Sequence, residues 1–299
     1  MEVRAKKALG QHFLTDQKVA RAIVDALLPL DDLSEAMPAS AGRPDTCLLK
    51  KDGKGFKAAG GSGESCSPVL EVGPGMGVLT QYLLQRKDID LRLVEIDSES
   101  VDYLLEHFPG MQGRLMEADF LTLKLEKIFP SAFAIIGNFP YNISSQIFFK
   151  VLDYKDSIPE VVGMVQKEVA ERIAARPGGK TYGILSVLIQ AWYDVEYLFT
   201  VEPSVFNPPP KVQSAVIRMT RNQVDRLGCD EDLFRRVVKT TFNQRRKMLR
   251  VSLRQMLSQE AINSLQSSDY MTMRPEQLTI AQFVELTNMV SEVLFTGTK

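Results

Sequence analysis

The chain has 299 residues, 44% of them hydrophobic and 24% charged, and a formal net charge of −1. That length accommodates one large domain or two modest ones, and the composition is that of an ordinary globular protein, which excludes disordered and fibrous classes. No apolar run approaches the roughly 20 residues needed to span a bilayer, and Met1-Glu2-Val3-Arg4 leads into no apolar segment of the kind a secretory leader requires. Three cysteines (Cys47, Cys66, Cys229) without CxxC spacing and two histidines (His12, His107) argue against a disulfide framework or a metal centre. Free thiols in a reducing cytoplasm are expected. The near-neutral total conceals a local imbalance: eight Lys or Arg and no Asp or Glu lie between Leu233 and Gln259.

Taken in chain order, a basic start ends in Gly10-Gln11-His12-Phe13-Leu14. Asp16 then has the character of an N-cap, and Val19, Ile23, Ala26 and Leu27 follow at helical spacing. Residues 38–67 are dominated by Gly, Ser, Pro, Lys and Ala, which predicts a mobile surface loop. A βαβ rhythm follows. The predicted elements are a strand over 68–72, a helix over 78–85, a strand over 91–95, a helix over 98–107, and strands ending near 119 and at 137. A helix over 145–152, a strand over 161–165 and helices over 168–175 and 184–192 come next. The segments 195–201 and 212–219 alternate like a closing antiparallel pair. Strands that alternate with helices imply an α/β fold, a mostly parallel Rossmann-like sheet covered on both faces. From about Asn222 the strand signal stops, and helices are predicted over 233–241, 247–257, 259–265 and 280–294. The expected organisation is a sheet domain over 1–221, including the 38–67 insertion, and a small all-helical domain over 222–299.

Gly73-Pro74-Gly75-Met76-Gly77 lies between a strand and a helix. Glycines there let a ligand approach the backbone, and the helix start offers free N–H groups. Glu71 sits at the end of the strand before the turn. Glu95 ends the next strand, where a carboxylate can accept hydrogen bonds from ribose hydroxyls, and Ile96 follows it. A dinucleotide site has the same acidic residue at similar spacing. The turn here lacks GxGxxG spacing because position 78 is Val, which favours S-adenosylmethionine over a nicotinamide dinucleotide.

Gly137-Asn138-Phe139-Pro140-Tyr141 follows the fourth strand and so lies at the edge of the sheet where open α/β folds bind ligands. The N6 amine of adenine is a poor nucleophile, because its lone pair is delocalised into the ring. The carbonyl of Asn138 and an adjacent backbone carbonyl can accept both amine protons. Pro140 fixes the turn that directs the Phe139 carbonyl, and Tyr141 offers a ring for an extruded base. No strong base is required, so positioning and electrostatics carry the catalysis. For the tetrapeptide alone, an ordinary turn with a satisfied aromatic is the plainer reading. Its place behind the glycine turn favours the chemical one.

The strings GQHFL at 10–14, LEVGPGMGVLT at 70–80, VEID at 94–97, EADF at 117–120, GNFPYNIS at 137–144, PPPKVQSAV at 208–216 and TFNQRRKMLR at 241–250 occur in this order. Together they resemble the small-subunit ribosomal RNA adenine dimethyltransferase family, the enzymes linked to kasugamycin sensitivity. The resemblance covers nearly the whole chain apart from 38–67. It implies dimethylation of two adjacent adenines near the 3′ end of small-subunit rRNA, on a 30S particle, with S-adenosylmethionine as donor. It further implies that Gln11, His12 and Leu14 lie over the methionine end of the cofactor, with Gly73 at its backbone and Glu95 at its ribose. Asp119 would meet the adenine amine of the cofactor, Asn138 and Tyr141 would grip the target base, and Phe206 would stack on its opposite face. Core packing beside the Pro208-Pro209-Pro210 turn is the plainer reading of Phe206. Phe139 stands where family members often have Leu, so its role belongs to its backbone.

Arg246, Arg250 and Arg254 stand at i, i+4 and i+8 of a predicted helix, with Arg245 and Lys247 beside them and Arg235, Arg236 and Lys239 on the helix before. Such a stripe suits RNA phosphates, and Arg4, Lys6 and Lys7 could extend it. A monomer is the default expectation. The competing readings are a large-subunit rRNA adenine N6-methylase, an RNA-binding assembly factor without catalysis, and a nicotinamide oxidoreductase.

Overall fold

A computed structural model of the chain describes residues 5–6, 9–29 and 66–296. Arg4, Lys7, Cys47 and residues 38–65 of the expected loop lie outside the described residues. The expected loop is shorter than 38–67 at its C-terminal end, because Ser67 is 8% exposed and pairs with Ile89 as the first residue of a strand.

A two-residue strand, β1 (Phe13–Leu14), leads into α1 (Gln17–Asp25). Asp16 caps that helix, accepting from the amides of Lys18 and Val19 at 2.8 and 3.1 Å. The apolar face of α1 buries Ala20, Ile23 and Val24. Then come β2 (Ser67–Val72), α2 (Thr80–Leu83), β3 (Ile89–Glu95), α3 (Ser98–His107), β4 (Leu115–Glu117) and β5 (Ala134–Asn138). After α4 (Ser144–Asp153) and β6 (Glu160–Gln166), α5 (Lys167–Ile173) and α6 (Ile184–Gln190) precede β7 (Tyr193–Val201), β8 (Phe206–Asn207) and β9 (Ser214–Arg221). The helix predicted over 78–85 contracts to the four residues of α2, because positive φ at Gly75 and Gly77 winds the preceding chain into turns.

Seven strands form one sheet in the order β4-β3-β2-β5-β6-β9-β7. The pairs β3–β4, β2–β3, β2–β5 and β5–β6 are parallel, while β9 runs antiparallel to β6, from Glu160↔Thr220 to Gln166↔Ser214. Leu70, Ile135, Ile136, Val161, Val162 and Met164 are fully buried, as strands covered on both faces require. Chain order reverses between β2 and β5. The carboxyl ends of those two strands, at Val72 and Asn138, therefore frame the crevice where such sheets bind ligands. β1 pairs antiparallel with β8, Leu14 opposite Phe206.

The chain divides into two compact units: Met1–Ala170 with Asp194–Gln223, and Glu171–Tyr193 with Val224–Lys299. Glu171–Tyr193, which the sequence places with the sheet, thus belongs with the C-terminal helices. Those helices are α7 (Glu231–Asn243), α8 (Leu249–Ser252), α9 (Gln259–Ser264) and α10 (Ile280–Thr296). α6 is apolar nearly all round, with Leu185 to Ile189 buried, and it needs the cover that α7 provides. Phe242 stacks on Phe283 at 5.9 Å and meets Tyr182 edge-on at 6.1 Å, while Trp192 meets Phe234 at 6.1 Å.

Candidate active site

The glycine turn after β2 is held from below by Glu95. Gly75 adopts φ +55, and its amide donates to Glu95 Oε2 at 3.0 Å. Glu95 Oε1 accepts from the amides of Ile96 and Asp97 at 2.8 and 3.0 Å. A carboxylate accepts about four hydrogen bonds, so the three backbone donors fix its plane without exhausting it. Burial raises the Glu95 pKa, and these amides oppose the rise. Glu71 is 1% exposed. Thr80 Oγ1 donates to its Oε2 at 2.7 Å, while its Oε1 is buried with no hydrogen-bond partner among the described residues. Burial pushes this carboxyl up to about 8, and the neighbouring Glu95 adds to the effect.

Asn138 ends β5. Its Nδ2 donates to the His12 carbonyl at 3.0 Å. A carbonyl can only accept, so the amide nitrogen must face His12 and the amide oxygen is left as an acceptor. Phe139 is fully buried. A Cβ on Gly163 would stand 2.4 Å from the Phe139 ring, and one on Gly137 would stand 2.5 Å from the Val72 carbonyl. Two glycines on adjacent strands therefore make the slot for this ring, and the side chain cannot reach a substrate. Its amide is tied to the Met164 carbonyl at 3.0 Å. Tyr141 shares a hydrogen bond with Ser214 Oγ on β9, and its ring lies 5.2 Å from that of His12.

The N-terminal segment crosses the same region. His12 Nδ1 lies 2.8 Å from the Pro208 carbonyl, which makes Nδ1 the protonated nitrogen. The Lys6 amide donates to Gln11 Oε1 at 2.8 Å, and the Lys6 ammonium pairs with Asp97 and, at 3.1 Å, with Glu99. After β4, Asp119 Oδ1 accepts from the Leu121 amide at 2.8 Å.

These residues enclose one cleft of about 180 Å³. Gln11, His12, Leu14, Glu71, Gly73, Gly75, Glu95, Ile96, Asp119, Asn138, Phe139, Pro140 and Tyr141 all line it. Ile96 is 52% exposed there. Phe206 is not among the lining residues. It is 4% exposed and belongs to the apolar core with Leu14, Val201 and Val216, because its pairing with Leu14 turns the ring inward. Thr80, Asp97, Lys150 and Ser214 also support the site, though sequence reasoning passed over them. Thr80, Asp97 and Ser214 fall inside the strings LEVGPGMGVLT, VEID and PPPKVQSAV. Lys150 carries a different signal, a lysine on the buried stripe of an amphipathic helix.

The basic block differs from the expected helical stripe. α7 ends at Asn243, the chain turns through 244–248, and α8 starts only at Leu249, whose amide donates to the Met273 carbonyl at 2.8 Å. Met248, the N-cap residue, is extended at φ −64 and ψ 152, which breaks the helix between Arg246 and Arg250. Arg246, Lys247 and Arg250 are exposed, whereas Arg245 is half-buried and donates to the Gly179 carbonyl at 2.8 Å.

The family model described as ribosomal RNA adenine dimethylase matches residues 2–292. A protein of Parabacteroides distasonis named ribosomal RNA small subunit methyltransferase A is 56% identical over 289 residues, covering 95% of this chain and 93% of its own length. A protein of the same name from Phocaeicola vulgatus is 54% identical, covering 98% of this chain and 91% of its own length. Among solved structures, a dimethyladenosine transferase from Plasmodium falciparum has the same fold, with TM-score 0.69 and 21% identity over 96% of this chain and 98% of that one. A 23S rRNA methyltransferase does too, with TM-score 0.57 and 23% identity over 93% and 99%. On the strength of its match over nearly its whole length, the chain belongs to the ribosomal RNA adenine dimethylase family.

Proposed function

We propose that this chain transfers methyl groups to the N6 amines of two adjacent adenines near the 3′ end of small-subunit rRNA, on a 30S assembly particle. The donor is S-adenosylmethionine, which supplies an electrophilic methyl group on a sulfonium centre. The residues present fit it. Glu71 Oε1 is an orphaned, buried acceptor in the cleft wall, suited to the cationic methionine end. Gln11, His12 and Leu14 border that end. Glu95 keeps acceptor capacity for ribose hydroxyls, the exposed flank of Ile96 can pack on a purine face, and Asp119 retains an oxygen for the purine amine.

The observation that carries the reading is the commitment of the Asn138 nitrogen to the His12 carbonyl. It leaves an oxygen at the strand end to accept one proton of the target amine. The Phe139 carbonyl, aimed by Pro140, accepts the other. Both bonds favour a pyramidal nitrogen with its lone pair free, and the Tyr141 ring, pinned by Ser214, offers a stacking face. Positive charge develops on that nitrogen as the methyl arrives, and the carbonyl dipoles stabilise it before the proton leaves to solvent. Arg246, Lys247 and Arg250, all exposed, are assigned to rRNA phosphates, whereas Arg245 is engaged by the Gly179 carbonyl. A monomeric, cytoplasmic enzyme fits this reading, and among the described residues no helix is long and apolar enough to cross a membrane. Incubating the protein with labelled donor and unmethylated 30S particles should yield N6,N6-dimethyladenosine in small-subunit rRNA. Label in large-subunit rRNA only, or none, would reject the proposal.

A further inference from the structure

Lys150 stands on the buried face of α4 beside Ile147 and Val151, and is only 8% exposed. Burial of an ammonium is unfavourable unless donors are fully used. Burial lowers the Lys150 pKa, against the attraction of Asp119, Glu126 and Asp153. What compensates is local. The ammonium donates to the carbonyls of Phe120 and Leu123, and lies 5.0 Å from the centre of the Phe120 ring and 5.9 Å from that of Tyr154.

The two carbonyls bracket the loop after β4. Within it, Asp119 Oδ1 takes the Leu121 amide at 2.8 Å, and the amides of Thr122 and Leu123 donate to the Asp119 carbonyl at 3.1 and 3.2 Å. Ala118, Asp119, Phe120 and Leu121 line the cleft. Carbonyls drawn towards Lys150 fix the rotation of these peptides, and with it the direction of the second Asp119 oxygen. The same helix begins three residues after Tyr141.

We infer that Lys150 is a positioning residue for cofactor recognition: through the Phe120 and Leu123 carbonyls it sets the loop from which Asp119 reads the 6-amino group of the cofactor's purine. It also ties that loop to the helix behind the adenine-gripping turn. The inference rests on the role proposed above for Asp119.

The test is the preference of the full chain for S-adenosylhomocysteine over S-inosylhomocysteine, whose 6-oxo group cannot donate to Asp119, measured by calorimetry. The wild type should prefer the adenosyl ligand by about tenfold or more, the scale of one hydrogen bond to a charged group. Asp119→Ala marks complete loss of that preference. Lys150→Met should lose most of it by weakening the adenosyl ligand about tenfold while leaving the inosyl ligand unchanged. Equal weakening of both ligands, or of neither, would show that Lys150 only fills space and would overturn the inference. If the wild type shows no preference, the Asp119 assignment fails and the inference falls with it. Should the Met variant not fold, Lys150→Gln, which keeps an N–H donor without the charge, is read by the same ratio.

Discussion

Asn138 and Glu71 show how much a neighbour decides about one side chain. Asn138 has an orientation imposed by a group that can only accept, and this is what turns its oxygen into a tool. Asn138→Ala should lower methyl transfer by about 100-fold or more, the scale of one preorganised polar contact in a transition state. S-adenosylhomocysteine affinity should stay within a few-fold of wild type, and turnover that survives would remove Asn138 from its role. Glu71 carries a pH signature. Its carboxyl is pushed from 4.5 up to about 8 by burial, so the folded protein binds a proton that the unfolded chain has already released. Stability of the ligand-free protein should therefore fall as pH rises from about 4.5 to about 8, and the penalty should be complete above that range. Glu160, raised to about 7 by burial, acts in the same direction over the lower part of the window. Glu71→Gln should remove most of that pH dependence, on the order of 5 kcal/mol across the window. Thermal melts of both proteins from pH 5 to pH 8.5 check this, and parallel curves would show that Glu71 does not titrate there.

At the scale of elements, the sheet controls the catalytic turn through the slot for Phe139. A ring wedged between glycines on β5 and β6 fixes the strand end from beneath. Adding a methyl at position 163 forces it against that ring. Gly163→Ala should cost about 1–3 kcal/mol through overpacking, and should slow methyl transfer by shifting the turn. Phe139→Leu in the same chain should recover part of both losses, because the smaller side chain vacates the space. A double-mutant cycle in urea measures the coupling, and strict additivity would mean that the two positions do not share the slot. Elements also explain the misread basic block. The 3.6-residue spacing of Arg246, Arg250 and Arg254 is present in the sequence, but Met248 and the Leu249–Met273 bond restart the helix between them.

On the scale of the whole molecule, the cleft is built within the sheet unit, while the basic turn belongs to the helical one. Their contributions should separate. Changing Arg246, Lys247 and Arg250 to Ala should weaken binding to the 30S particle and flatten the plot of log affinity against log salt by very roughly 2–3 units. Melting temperature and S-adenosylhomocysteine affinity should hardly move. Arg245, tied to the Gly179 carbonyl, should behave in the opposite way, with a lower melting temperature and a nearly unchanged slope in Arg245→Ala. A triple variant with the wild-type salt slope would rule out these side chains as the phosphate contact.

Much of this architecture was legible in the chain itself, because it depends on local rules. Period-2 and period-3.6 patterning located most strands and helices. Asp16 announced a cap, and glycines after a strand announced a ligand turn. Asn-Phe-Pro-Tyr carried enough chemistry to indicate an amine target. Tertiary structure alone decided the rest. Phe206 became core because its strand partner is Leu14, far away in sequence. Glu171–Tyr193 joined the helical unit because an all-round apolar α6 must be covered, and nothing in its own residues says by what. Lys6 with Asp97, Tyr141 with Ser214, and Lys150 with the Phe120 and Leu123 carbonyls are pairs separated by up to 91 residues. A hydrogen bond depends on distance in space, and the sequence of a chain specifies that distance only after the sheet has been assembled.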